Sequence, residues 1–215
     1  MNNNVIVVVE GPTEEKFIKQ IVAPYLLTKS IYIMPIVLHG DVSFDRVKTD
    51  VINSLKNKKA KAVSYFVDYY GLQDWPQKEM VQSNSTPWQI ADILNNAAKI
   101  AICEKAGDDL NPHQRFIPFM AVHEFETLLF SDSAILAKEL GISRADIDHV
   151  LTEFGEEPER INSNPLTAPS KRLEGWKKSY KKTVDGIDIA EKIGLSVMRE
   201  KCPLFDKWLT AIETL

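Results

Sequence analysis

The sequence is short of several things, and each shortage narrows what the chain can be. Its two cysteines, Cys103 and Cys202, stand alone without a CxxC spacing, so neither a disulfide framework nor a cysteine-built zinc site is expected. Cys103 sits in the apolar pattern IAICEKA and reads as a small core residue. Cys202 precedes Pro203 at a helix start, and neither setting suggests a reactive thiol. No apolar run approaches the roughly 18 residues of a membrane helix. No basic-then-apolar leader precedes the first strand, so a cytoplasmic protein without a membrane partner is expected. Neither GxGxxG nor GxxxxGK followed by Ser or Thr occurs, which excludes the usual dinucleotide and P-loop phosphate sites. Histidines number four. His39 and His113 fall in turns and His149 on the exposed side of an acidic helix, leaving His123 as a candidate ligand or base, or simply a structural residue. The net charge of −4 argues against a uniform nucleic-acid coat and leaves room for a local basic surface.

What is present reads as an alternating α/β chain. With 215 residues, 44% of them hydrophobic and 26% charged, one domain or one elaborated domain is expected. Residues 5–9, VIVVV, are consecutive β-formers, the mark of a strand buried on both faces in a parallel sheet. Residues 31–38 (IYIMPIVL), 62–67 (AVSYFV) and 115–122 (RFIPFMAV) repeat the pattern; Pro35 points to an edge position or a bulge for the second. Apolar positions at helical spacing follow each strand, over 14–27, 43–57 and 88–105, and 127–130 begins a fourth helical stretch. The polar stretch 72–86 is a long loop of the kind that is functional or mobile. The alternation predicts a mainly parallel four-stranded sheet flanked by helices over residues 1–130. Residues 131–215 carry no strand pattern and predict a helical elaboration, with helices over 131–140, 143–154, 170–180, 188–193 and 203–215.

Acidic residues close most of the strands. Glu10 follows the first, with Glu14 one helical turn on, Asp68 ends the third, and Glu124 and Glu126 follow the fourth. In a parallel sheet these ends lie along one edge, where open α/β folds place ligands. Carboxylates crowded in a partly dry cleft repel unless a cation joins them or one takes a proton. An all-oxygen donor set suits Mg²⁺ or Mn²⁺ rather than zinc, and such a site fits phosphoryl-transfer or phosphodiester chemistry. The plainer alternative is that each acid only caps the helix that follows. Residues 171–182, KRLEGWKKSYKK, interleave six basic residues with Trp176 and Tyr180. That composition fits a nucleic-acid groove, and equally a solvated helix face with an anchored tryptophan.

The blocks VVVEGPTEE, FVDYYGL, HEFETLLF and TAPSKRL together resemble a bacterial domain family of unknown function with a TOPRIM-like core. TOPRIM is the metal-binding domain of topoisomerases, primases and the overcoming-lysogenization-defect nucleases. The ending GLSVMREKCPLFDKWL is similar to the same family, so the resemblance spans nearly the whole chain. It implies a TOPRIM-like, Rossmann-like fold and a Mg²⁺- or Mn²⁺-dependent nuclease or phosphotransfer enzyme acting on DNA or RNA. A partner ABC-type ATPase, in phage defence or DNA maintenance, is implied as well. By the same resemblance Glu10 is the metal ligand or general acid/base, Glu14 the second acid of an ExxxE pair, and Asp68 the first acid of DxD. Tyr70 stands where the second acid is expected, and Glu124 or Glu126, preferably Glu126, replaces it. Lys171, with Arg172 beside it, is the candidate for the lysine that meets phosphate charge. Two readings remain open: an active nuclease, or a catalytically degenerate module that binds nucleic acid or an ATPase without cutting. Oligomeric state is not read from the sequence.

Overall fold

The computed structural model describes residues 3–40, 42–161 and 167–215. Strands β1 (Asn3–Val9), β2 (Ile31–Val37), β3 (Ala60–Asp68) and β4 (Phe116–Ala121) form one sheet in the order β2-β1-β3-β4. Every pairing is parallel, as the sequence pattern predicts. Val5 to Val9 are fully buried because β1 is an inner strand covered on both faces. The edge strands β2 and β4 each carry a proline, Pro35 and Pro118. Leu38 N–H donates to Val9 O at 2.9 Å. Strand alternation therefore turns the donorless Pro35 nitrogen to the open edge, where it costs no ladder bond.

The crossovers fix which helix covers which face. From β1 the chain passes through α1 (Pro12–Phe17), a π-turn (Ile18–Val22) and α2 (Ala23–Leu27) to β2. It then crosses back by α3 (Phe44–Leu55) to β3, and by α4 (Pro87–Ala106) and the short α5 (Pro112–Arg115) to β4. Steps in opposite directions across the sheet, each right-handed, put α1–α2 on one face and α3 with α4 on the other. Adjacent residues of β3 confirm it. Phe66 meets Phe17 of α1, ring centroids 6.2 Å apart. Its neighbour Tyr65 donates its hydroxyl to Asn95 of α4 at 2.7 Å. Because the connections after β1 and β3 leave toward opposite faces, a crevice opens beyond the carboxyl ends of these two strands.

The start of α4 is set by Thr86, whose Oγ1 accepts from Gln89 N–H while Gln89 Oε1 accepts from Thr86 N–H, with Pro87 in the first turn. The long 72–86 loop is anchored: Trp75 is buried and donates its indole N–H to Leu94 O at 3.2 Å. Beyond β4 come α6 (Ser133–Leu140), α7 (Arg144–Glu153), α8 (Pro169–Trp176), α9 (Ile187–Ile193), α10 (Leu195–Lys201) and α11 (Pro203–Glu213). Helix α11 returns to the α1 face, where Trp208 stacks on Phe119 at 4.9 Å and donates to Ser64 Oγ at 2.9 Å. A single hydrophobic cluster joins the sheet to these C-terminal helices. Among the described residues no helix is long and apolar enough to cross a membrane.

Two features differ from the sequence pattern. The helix expected over 170–180 ends at Trp176, and α10 is an added helix. The cause of the first is Asp185. Its carboxylate accepts from the Lys177 ammonium and the Lys181 N–H, both at 2.7 Å, which folds residues 177–186 into a strap ending in a π-turn (Lys182–Gly186).

Candidate functional site

Three strand ends deliver the acids. Glu10 follows the last residue of β1, and the N–H of Gly11 donates to Glu14 Oε2 at 3.0 Å. That bond folds the first-turn glutamate of α1 back over the strand tip. Asp68 is the last residue of β3. Glu126 lies in the 3₁₀ turn Phe125–Ser131 that follows β4. Glu14, Asp68 and Glu126 are buried, with 2%, 5% and 0% of their surface exposed. Glu10 rests against the backbone turn after β3. A Cβ at Gly71 would stand 2.8 Å from Glu10 Oε2, so only glycine admits the carboxylate there.

At the centre sits Lys182, brought in by the strap. Its ammonium lies 3.1 Å from Glu126 Oε2, 3.3 Å from Asp68 Oδ2 and 3.7 Å from Glu14 Oε1. The strap is held from outside by Lys16 of α1, whose ammonium donates to Thr183 O at 3.0 Å. Lys182 was not among the residues singled out from the sequence. It is the last of the basic run 171–182, and nothing but its charge marked it.

The charges do not balance. Three carboxylates share one ammonium with Glu10 beside them, and among the described residues each of the four carries an oxygen without a hydrogen-bond partner: Glu10 Oε2, Glu14 Oε1, Asp68 Oδ1 and both oxygens of Glu126. The contacts of Glu14 Oε1, beyond hydrogen-bond reach at 3.7 Å, and of Glu126 Oε2 with Lys182 are ion pairs. Burial pushes the Glu126 carboxyl up to about 7, against the pull of Lys182. Burial likewise raises Asp68 well above the carboxylate range, and burial with the neighbouring Glu14 raises Glu10. Desolvation works against the charged form of Lys182, but Asp68, Glu126 and Glu14 outweigh it and hold the ammonium protonated. His123 Nδ1, Thr127 Oγ1 and Tyr180 Oη are also buried without partners among the described residues. His123 is neutral, its imidazole lowered to about 4 by burial.

The remaining sequence candidates lie elsewhere. Glu124 accepts from the N–H and hydroxyl of Ser170, at 2.9 and 3.0 Å, and so positions the start of α8 rather than joining the cluster. Lys171 senses Glu124 and Glu126 electrostatically, but its ammonium is paired with Glu174 at 2.7 Å on an exposed helix surface. Arg172 donates to Thr167 O at 2.9 Å and lies over the Phe154 ring at 5.7 Å. Neither basic residue has an ion pair with the clustered carboxylates. Among the described residues no group of three or more His, Cys, Asp or Glu side chains is disposed to hold a metal ion. The oxygen-only donors match a hard cation in kind, and the cation they meet in this arrangement is an ammonium.

Residues 9–213 match the family model described as Domain of unknown function (DUF4276). The chain belongs to the DUF4276 family. No curated protein and no solved structure matches it. In this DUF4276 chain the matched span runs from the last residue of β1 to the last residue of α11 and contains the whole carboxylate–lysine cluster.

Proposed function

We propose that this chain is a TOPRIM-like, Mg²⁺- or Mn²⁺-dependent nuclease, or a related phosphotransfer enzyme, acting on nucleic acid with an ABC-type ATPase as partner in phage defence or DNA maintenance. The observation that carries the reading is the convergence of Glu10, Glu14, Asp68 and Glu126, with their unpartnered oxygens, around Lys182 at the carboxyl ends of β1, β3 and β4. Buried carboxylates outnumbering their counter-charge are unfavourable for a structural role alone, and a hard divalent cation relieves them. Glu10 and Asp68 would hold such an ion, which when bound supplies charge for the attacking and leaving oxygens of a phosphodiester. Glu14, fixed by the Gly11 N–H, and Glu126, partly protonated near neutrality, orient a water and accept its proton. Lys182 takes the role that the sequence resemblance gave to Lys171, offering its ammonium to the phosphate as it leaves the carboxylates.

The second reading is a module that binds nucleic acid or the ATPase without cutting. It is favoured by Lys182 already occupying the meeting point of the acids and by Tyr70 in the second DxD position. One assay separates the two. Purified protein, alone and with an ABC-type ATPase encoded beside it, is incubated with labelled DNA and RNA in Mn²⁺ or Mg²⁺. Cleavage by wild type that disappears in Glu10→Ala, Asp68→Asn and Lys182→Met supports the nuclease. Intact substrate throughout overturns it and leaves the binding module.

A further inference from the structure

A second feature borders the carboxylate cluster on the β4 side. A groove of about 480 Å³ is lined by Ser83, Ser85, His123, Glu153, Phe154 and Arg160, between the start of α4 and the end of α7. His123 connects the two through the chain. It follows β4 three residues before Glu126, it lines the groove, and it is 4% exposed with Nδ1 unpartnered. Tyr70, two residues after Asp68, lies against the His123 ring, with centroids 5.4 Å apart and planes 31° from parallel. Tyr69 packs on both, at 5.8 Å from Tyr70 and 6.0 Å from His123. Both tyrosines are partly exposed. An aromatic shelf therefore leads from Asp68 to the groove.

The chemistry of this path is that of a single nucleotide. Partly exposed rings offer a stacking surface that any base can use once it is out of a duplex. Ser83 and Ser85 can exchange hydrogen bonds with base or sugar edges, against the buried His123 ring. Glu153 suits exocyclic amino groups. Arg160, its side chain 48% exposed and paired among the described residues with the equally exposed Glu157 at 2.6 Å, can give up that partner for a phosphate at little loss. A base still paired in a helix would keep both faces stacked on its neighbours and could not use the shelf.

We propose that the Tyr69–Tyr70–His123 shelf and the adjoining groove hold one unpaired nucleotide beside the phosphate presented to the carboxylates, which makes single-stranded nucleic acid the substrate class. This rests on the nucleic-acid reading above, and binding rather than cleavage keeps the two distinguishable. Fluorescence anisotropy is measured without divalent cations, using a short labelled oligothymidylate, single-stranded or annealed to its complement. Wild type is expected to bind the single strand about tenfold or more tighter than the duplex. Tyr70→Leu should lose roughly five- to hundredfold in single-strand affinity, while Tyr70→Phe keeps it, because the ring face carries the contact. Arg160→Gln, a change at a half-exposed side chain that leaves folding intact, should lower the salt dependence by about one phosphate contact. Equal affinity for both probes overturns the shelf and leaves the nucleic-acid reading standing. So does a Tyr70→Leu protein that melts and binds like wild type. Binding of neither probe, nor of the matching oligouridylate, with Mn²⁺ absent or present, overturns both. If Tyr70→Leu fails to fold, the single-strand preference and Arg160→Gln decide.

Discussion

Replacing Lys182 with Met removes the cation that three buried carboxylates share while keeping most of the chain's length and volume. The ammonium lies 3.1, 3.3 and 3.7 Å from Glu126, Asp68 and Glu14. Removing one member of a buried ion pair leaves an uncompensated charge, ordinarily a loss of about 3–5 kcal/mol. About a third of the Lys182 side chain meets solvent, so solvent screening reduces the expected loss to about 2–3 kcal/mol near pH 8. The loss depends on pH with a definite sign. Glu126 titrates near 7 in the folded chain against 4.5 as its ordinary value. A carboxyl raised on folding contributes stability below its unfolded value that is lost as pH rises through its folded one. Without Lys182 the folded value climbs further, so the variant's deficit shrinks to below about 1 kcal/mol near pH 5 and grows steadily above it. Urea denaturation of both proteins at the two pH values, with unchanged slope against denaturant, measures this directly. Saturating Mn²⁺ should restore the variant at the higher pH, by about 2.7 kcal/mol at a hundredfold excess over its dissociation constant. Equal stability of variant and wild type at both pH values would refute the electrostatic account of the cluster.

Three further outcomes follow from particular contacts. Gly71→Ala should displace the Glu10 carboxylate, which a Cβ would approach to 2.8 Å. Unfolding should shift by less than about 1 kcal/mol, since a flexible side chain can yield, while Mn²⁺ affinity falls; unchanged affinity places Glu10 outside the site. Glu159 accepts from the N–H groups of Leu204 and Phe205 at 2.9 and 3.1 Å, yet burial pushes its carboxyl up to about 7. Its contribution therefore declines as pH rises from its ordinary 4.5 through 7, by about 1.4 kcal/mol per pH unit. Glu159→Gln should flatten the pH dependence of stability in that window, and an unaltered slope contradicts the assignment. Phe17, fully buried against Phe66, Phe125 and Phe205, ties the sheet, the Glu126 turn and α11 together. Phe17→Ala should lose about 3–5 kcal/mol in urea denaturation, and a loss under about 1 kcal/mol would mean the contact is not part of the core.

The sheet was legible because its signal is local. A run such as VIVVV is intelligible only between two covered faces, and Pro35 marks a strand with one free edge. Glu10, Asp68 and Glu126 were legible for the same reason: strand ends in a parallel sheet share an edge whatever else the chain does. Glu124 and Glu126 have the same local pattern, and only the later Ser170, 46 residues on, separates the clamp from the cluster member. Lys182 was not legible. It lies 114 residues from Asp68, and its place is set by Asp185 and Lys16 holding a non-helical strap, a geometry that no periodicity announces. Lys171 and Arg172 stood out instead because they lie in TAPSKRL, one of the blocks that carry the family resemblance. Helix α10 carries too little apolar signal to be read: it buries only Leu195 and Met198, whereas α9, of the same seven residues, buries Ile187, Ile189, Ala190 and Ile193.

The most direct measurement is Mn²⁺ binding followed by the loss of the free-ion electron paramagnetic resonance signal. Wild type should remove Mn²⁺ with saturable stoichiometry, Asp68→Asn should bind at least about tenfold more weakly, and a Glu124→Gln control should bind as wild type does. No binding by wild type, or binding that Asp68→Asn leaves untouched, contradicts a divalent-cation site at the β1–β3–β4 edge.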